Sequence, residues 1–175
     1  MIVSLNELMR YQEFEKYHDD EIRQKLDSIE MMIRGYTHNN FQNRNVRFTA
    51  TSEGNILNGI SPFLRVGDTI QISQSLVNDG LYVVEELCSG YIKVDKELFE
   101  APYNLVTKVE YPASVKAGVI DLMLWKEITK SKIGIKSETL SRHTVTYYDQ
   151  DSSNQINGYP VSLLGFLEPY RKARF

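Results

Sequence analysis

The spacing of apolar positions divides the chain into stretches of different period. Near the start, Leu5, Leu8 and Met9 fall on one helical face, with Tyr11 or Phe14 extending it. Ser4 and Glu7 precede and enter this stretch with capping-box spacing, hydroxyl to N3 amide and carboxylate back to the cap. A second helix follows. Asp19 and Asp20 suit its N-terminus, where acids complement free amides and the dipole. Ile22, Leu26, Ile29 and Ile33 then recur at i, i+4, i+7 and i+11, and Gly35 is expected to stop it.

After a polar, Asn-rich stretch from Thr37 to Arg44 the period becomes two. Val46, Phe48 and Ala50 alternate with Arg47, Thr49 and Thr51, and Glu53-Gly54-Asn55 predicts a turn. Ile70 and Ile72, Leu81 to Leu87, Tyr91 to Val94 and Leu105 to Val109 continue the strand pattern. Asn78-Asp79-Gly80 and Ser89-Gly90 punctuate it, because Asn, Asp and Gly tolerate positive φ. Five or six short strands at this spacing predict a small antiparallel barrel or sandwich over residues 45–110.

Tyr111-Pro112 resets the chain to helix, with Pro suited to the first helical position. Val115, Val119, Leu122 and Leu124, interleaved with Ile120, Met123, Trp125 and Ile128, leave little polar circumference, which predicts a buried helix with Trp125 in the core. Ile135 to Tyr148 reads as extended, with His143, Val145 and Tyr147 on one side, and 149–158 as a polar loop. The fold class is α+β: a helical body from 1–44 and 111–175, ending in an extended C-terminal arm, with a β-rich module inserted at 45–110.

Composition narrows the function. Twenty Lys plus Arg against 23 Asp plus Glu give a net charge of −3, and the β-rich middle is itself acidic, which argues against a phosphate-gripping surface. Cys88 is the only cysteine, so no intrachain disulfide forms and a thiolate-only zinc site is excluded. Met1-Ile2-Val3-Ser4-Leu5 runs directly into Asn6 and Glu7, unlike a signal peptide. No apolar run exceeds four residues, as in Leu122 to Trp125, against the ~20 that span a bilayer. The expectation is a soluble protein of a reducing cytosol, with no membrane contact.

Candidate chemistry thins out on inspection. His18, His38 and His143 lie far apart, without metal-binding spacing. Cys88 with His143 lacks the sequence context of a nucleophile pair and reads as a small apolar side chain. Asp149-x-Asp151-x-Ser153 begins like a calcium loop, but Asn154 and Pro160 stand where Gly and a bidentate Glu belong. Asp19-Asp20-Glu21 reads as capping and not as an acid–base pair. No phosphate-binding glycine motif or nucleophile elbow occurs. The reading is a non-enzymatic protein without cofactor or metal.

Three stretches, in order, carry a likeness. They are Ile29-Glu30-Met31-Met32-Ile33-Arg34-Gly35-Tyr36-Thr37, the Tyr111-Pro112-Ala113-Ser114-Val115-Lys116 helix opening, and Ile135 through Tyr147 with its closing segment Tyr159-Pro160 to Tyr170-Arg171. Together they cover about 100 of the 175 residues and resemble the head–tail connector, or adaptor, proteins of long-tailed bacteriophages. The middle departs from the all-helical version of that family, and Ser141 and Arg142 stand where Gly and an acid are expected. The resemblance implies a virion structural protein that assembles in the host cytoplasm and resides at the head–tail interface. It implies a ring, dodecameric in the family, between the portal protein and a tail-side stopper, with DNA only as passing cargo. It also implies a subunit-contact arm, here His143, Val145 and Tyr147. A tail terminator, a minor capsid component and a barrel-type nucleic-acid-binding module are the alternatives.

The tail is the candidate binding segment. Tyr159, Leu163, Phe166, Tyr170, Arg171, Arg174 and Phe175 are the predicted partner-binding residues, because aromatic residues and Arg predominate in interface hot spots. Leu163, Leu164 and Leu167 have spacing that equally suits packing on the body helix. Residues beyond Pro169 are expected to fray unless tied down.

Overall fold

The computed structural model describes residues 1–130, 137–140, 143–146 and 155–173. The chain is α+β. Helix α1, Leu5–Leu8, starts at the expected capping box: the Glu7 amide donates to Ser4 Oγ at 3.3 Å and the Ser4 amide to Glu7 Oε2 at 3.0 Å. A 3-10 turn, Gln12–Phe14, leads to helix α2, Asp19–Thr37. Helix α2 runs through Gly35 and ends two residues later, where His38 takes the left-handed conformation at φ 49°. The expected stop at Gly35 is therefore corrected: the terminating backbone geometry falls on His38.

Strands β1 (Gln42–Asn58), β2 (Thr69–Ser73), β3 (Gly80–Leu87) and β4 (Ile92–Val109) form one antiparallel sheet in the order β1-β4-β2-β3, with β3 also pairing to β4. Four strands replace the expected five or six, because Glu53-Gly54-Asn55 does not turn the chain. Gly54 adopts φ 59° within β1, and the β1–β4 register shifts on both sides of it with the additional residues on the β4 side, so the chain passes through the glycine as one continuous strand. Likewise Ile92 to Val109 is a single strand, whose first part pairs with β3 at Val84–Leu87 and whose last part pairs with β2. The β2–β3, β3–β4 and β2–β4 pairings thus close a circuit through β4. The alternation read from the sequence holds at Val46 and Ala50, both buried with Ile70, Ile72, Val84, Val94 and Val106 in one apolar cluster.

Helix α3, Ala113–Thr129, begins after Pro112. It is not buried all round. Val115, Val119, Leu122 and Met123 face the core, whereas Trp125 is half-buried and Ile128 is 66% exposed. Two short hairpins follow: β5 (Ser137–Leu140) with β6 (His143–Thr146), and β7 (Gln155–Ile156) with β8 (Tyr159–Pro160). A ten-residue 3-10 segment, Val161–Tyr170, closes the described fold. No helix among the described residues is long and apolar enough to cross a membrane.

A second apolar cluster joins α1, α2, α3 and the closing segment through Leu8, Ile22, Leu26, Ile33, Val119 and Leu164, all essentially inaccessible. The two clusters meet along a polar seam. Glu30 of α2, 2% exposed, accepts from the Tyr111 hydroxyl at 2.8 Å and pairs with the Met1 amine at 3.1 Å, while Arg34 donates to Gln71 of β2 at 2.8 Å. Burial, reinforced by the Glu30 charge, pushes the Tyr111 phenol well above its usual range, so it remains a donor. Tyr111→Phe keeps the ring but removes that donor from a buried carboxylate. It should cost about 2 kcal/mol in urea unfolding with an unchanged m-value; a loss below about 0.5 kcal/mol would show that Glu30 does not need the phenol.

Candidate functional site

The tail residues come first, because the sequence places the binding chemistry there. Val161–Tyr170 lies across α3 and the end of α2. Leu164 and Leu167 are fully buried, and Leu163 is half-buried. Gly118 of α3 is the seat for Phe166: a β-carbon there would stand 2.5 Å from the Phe166 ring, so only glycine admits it. Tyr170 is not loose. Its hydroxyl shares a 2.7 Å hydrogen bond with Ser114 Oγ, its carbonyl accepts from Asn39 Nδ2 at 3.2 Å, and its ring lies 6.1 Å from that of Phe41. The Lys172 amide then donates to the Thr37 carbonyl, an otherwise open acceptor at the end of α2, at 2.8 Å. The expectation that the chain frays beyond Pro169 is corrected on these contacts, which hold it at least to Lys172.

What the tail presents outward is a strip. Leu163 and Phe166 are half-exposed beside Gly165 over a shallow hollow, and Arg171 and Lys172 are exposed beyond it. Arg171 is steadied by Glu168 at 3.2 Å and by stacking over Tyr36 at 4.9 Å, and Tyr36 in turn donates to Glu168 at 2.7 Å. Tyr159 sits elsewhere: it is buried against α3, 6.2 Å from Trp125, with its phenol pushed up to about 12 by burial and then by the nearby Glu127 charge. His143 and Val145 lie in β6, opposite Leu140 and Glu138. Tyr147, Arg174 and Phe175 lie outside the described residues.

A second site has no counterpart in the sequence reading. Glu127, near the end of α3, accepts from the Tyr17 hydroxyl at 2.6 Å, Lys25 at 3.1 Å and Lys16 at 3.2 Å. Lys25 also lies 3.6 Å from the Tyr17 ring centre and Lys130 5.6 Å from it. The hollow beside this cluster, about 330 Å³, has an apolar floor of Phe14, Ile29, Met32 and Met123. A larger groove of about 800 Å³ separates α2 from β2 and β3, lined by both charge signs through Arg23, Asp27, Asp95 and Lys96, with Met31 64% exposed at its edge. Cys88 is half-buried at the opposite end of β3 and donates to Glu86 at 3.3 Å.

Among the described residues no three His, Cys, Asp or Glu side chains converge as a metal site. The hollows instead combine apolar floors with rims of both charge signs, Glu21, Lys25, Lys126 and Glu127 around the smaller one. No protein-family model matches this sequence, and no curated protein matches it.

Glu127 supplies a measurable consequence. Burial disfavours its charge, but the hydrogen bonds from Tyr17, Lys25 and Lys16 outweigh that penalty and hold the carboxyl at about 2, below its ordinary 4.5. A depressed native value stabilises the fold above the unfolded value, and that stabilisation is lost as pH falls from about 4.5 toward 2. Glu127→Gln should therefore cost about 2 kcal/mol at pH 7, with the gap to wild type closing below pH ~3. A gap that stays constant across that range would mean the carboxylate is not ionised in the cluster.

Proposed function

We propose that this chain is a virion structural protein of the head–tail adaptor kind, a subunit of the ring that joins the portal of a phage head to the tail. The observation that carries the reading is the C-terminal strip. A segment with no long helix of its own is bound across α3 and the end of α2, leaves Leu163 and Phe166 partly open beside a shallow hollow, and turns Arg171 and Lys172 outward at its finish. Ordered aromatic and Arg side chains beside a shallow apolar hollow suit a protein interface, since little entropy remains to be lost there.

Under this reading the helical elements are the connector body, and the circuit of β2, β3 and β4 is a small barrel inserted into it. Portal and tail-side stopper are the partners, other copies complete the ring, and DNA passes through the lumen. The near-neutral chain supports that last point, because strong phosphate contacts would hinder passage. The order of the three connector-like stretches supports the assignment over a tail terminator or minor capsid component.

The anchors at Tyr170 and Lys172 decide how to test the tail. Cutting before Pro169 would remove body contacts along with any docking residues, so the informative truncation ends at Lys172. Deleting residues 173–175 together with Arg171→Glu and Lys172→Glu, which reverses the exposed end of the strip, should leave the far-ultraviolet circular dichroism unchanged. It should abolish incorporation into heads in a complementation assay. Normal incorporation of this variant would remove Arg171, Lys172 and the residues after them from the docking surface.

A further inference from the structure

Leu76 is the least economical residue in the fold. It lies in the β2–β3 loop at φ 68°, a left-handed conformation that penalises leucine, and it is 96% exposed, so no burial compensates. The loop is nonetheless pinned. Asn78, 2% exposed, donates through Nδ2 to Ser52 Oγ at 3.0 Å and to the Phe99 carbonyl at 2.9 Å. Its Oδ1 accepts the Phe99 amide at 2.8 Å, and Asp79 accepts the Ser75 amide at 2.8 Å. One buried side chain therefore holds the loop against the middle of β4. Leu76, Val77 (53% exposed) and Phe99 (72% exposed) stand at this joint as an exposed apolar tip. Around it Glu53, Glu97 and Glu100 are all exposed, which turns the tip away from phosphates and anionic lipid and toward a basic partner.

The chain carries a surface of the opposite kind. The hollow floored by Phe14, Ile29, Met32 and Met123 has Lys25 and Lys126 on its rim, with Lys16 and Lys130 around the adjoining Tyr17. Two carboxylates line it as well: Glu127 is enclosed by Lys16, Lys25 and Tyr17, and Glu21 is exposed and accepts from the His18 amide at 3.3 Å, so the four lysines leave the surroundings net positive. The floor of the hollow belongs to the helical cluster, whereas the tip is carried by the β2–β3 loop and β4 and stands in solvent in the monomer. Apolar group meets apolar floor, and the acidic rim of the tip meets surroundings in which lysines outnumber carboxylates.

We infer that the Leu76–Val77–Phe99 tip of one copy docks in the lysine-rimmed hollow of a second copy, head to tail. Such a contact uses two different surfaces, so it propagates, and closes into a ring where the rotation permits. It deepens the adaptor reading by naming the contact between subunits, but it is measured without portal or heads.

The test is a mixing experiment on the purified full chain by sedimentation velocity. Wild type should show a mass that rises above the monomer with concentration and falls back with added salt. Leu76→Asp disables the tip, and Glu97→Lys with Glu100→Lys does so by charge. Ser28→Trp with Lys126→Glu fills and reverses the hollow; all of these positions are exposed, so the fold is spared. Each variant alone should be monomeric, weakened at least tenfold in self-association. A mixture of Leu76→Asp with the hollow variant should give a dimer and nothing larger, because one sound tip and one sound hollow remain. Wild type that stays monomeric to millimolar concentration, tip variants that associate as wild type, or a mixture without dimer would each overturn the inference. If that happens while the chain still enters heads, the adaptor reading stands and its subunit contact lies elsewhere.

Discussion

Glu30 sits in the middle of a helix, almost closed to water, at the place where the helical and β clusters meet. A carboxylate taken out of water without partners would cost several kcal/mol, so its surroundings must answer it. They do so from two distant parts of the chain, the Tyr111 hydroxyl and the Met1 amine. Tyr111 directly follows the segment that leaves β4 and opens α3, so satisfying Glu30 fixes where the sheet ends and where the helix begins. Once that pair is set, Arg34 one turn along α2 reaches Gln71, and Gln71 also accepts from Gln42 at the start of β1. The seam between the clusters is therefore polar, directional and specific in register, where an apolar seam would tolerate sliding.

A second buried polar group does the same inside the β cluster. Asn104, inaccessible in β4, donates to the Ala50 carbonyl at 3.1 Å and to Ser52 Oγ at 3.1 Å, and its Oδ1 accepts from Asn78. These bonds lie where the β1–β4 register shifts, between Ala50 and Gly54. Ladder hydrogen bonds are lost at such bulges, and side-chain amides supply the missing partners. The bend lets one 18-residue strand serve three neighbours.

The sequence made the local rules readable and left the long-range ones hidden. The Ser4–Glu7 cap, the apolar stripe of α2 and the two-residue period around Val46 to Ala50 each depend on neighbours a few positions away, and each appears as expected. Gly54 misleads because a glycine at positive φ can sit inside a continuous strand as well as at a turn. Gly35 misleads because a helix stops where its last carbonyls find partners, and those come from the tail: Thr37 accepts from Lys172. Asn157-Gly158, read as part of a polar loop, is a strong hairpin signal, and both residues take positive φ between β7 and β8. The Glu127 cluster was not legible at all. Its lysines and tyrosine come from residues about a hundred positions earlier, and nothing in the spacing of either segment marks the partnership.

The β-rich stretch between α2 and α3 is accommodated for a geometric reason. Its two ends leave the helical cluster as a hydrogen-bonded antiparallel pair, Gln42 opposite Val109, with the Glu110 amide donating to the Phe41 carbonyl at 2.8 Å just outside it. To the helices, the whole module is a short closed connection between α2 and α3, so helix packing does not depend on how many residues lie beyond that pair. The module, conversely, is held in one orientation by the Glu30 and Gln71 bonds and not only by its two strands. Any surface at its far end is then carried at a fixed offset from the body. In an assembly of identical chains a fixed offset sets the rotation from one subunit to the next, and that rotation decides between a closed ring and an open filament.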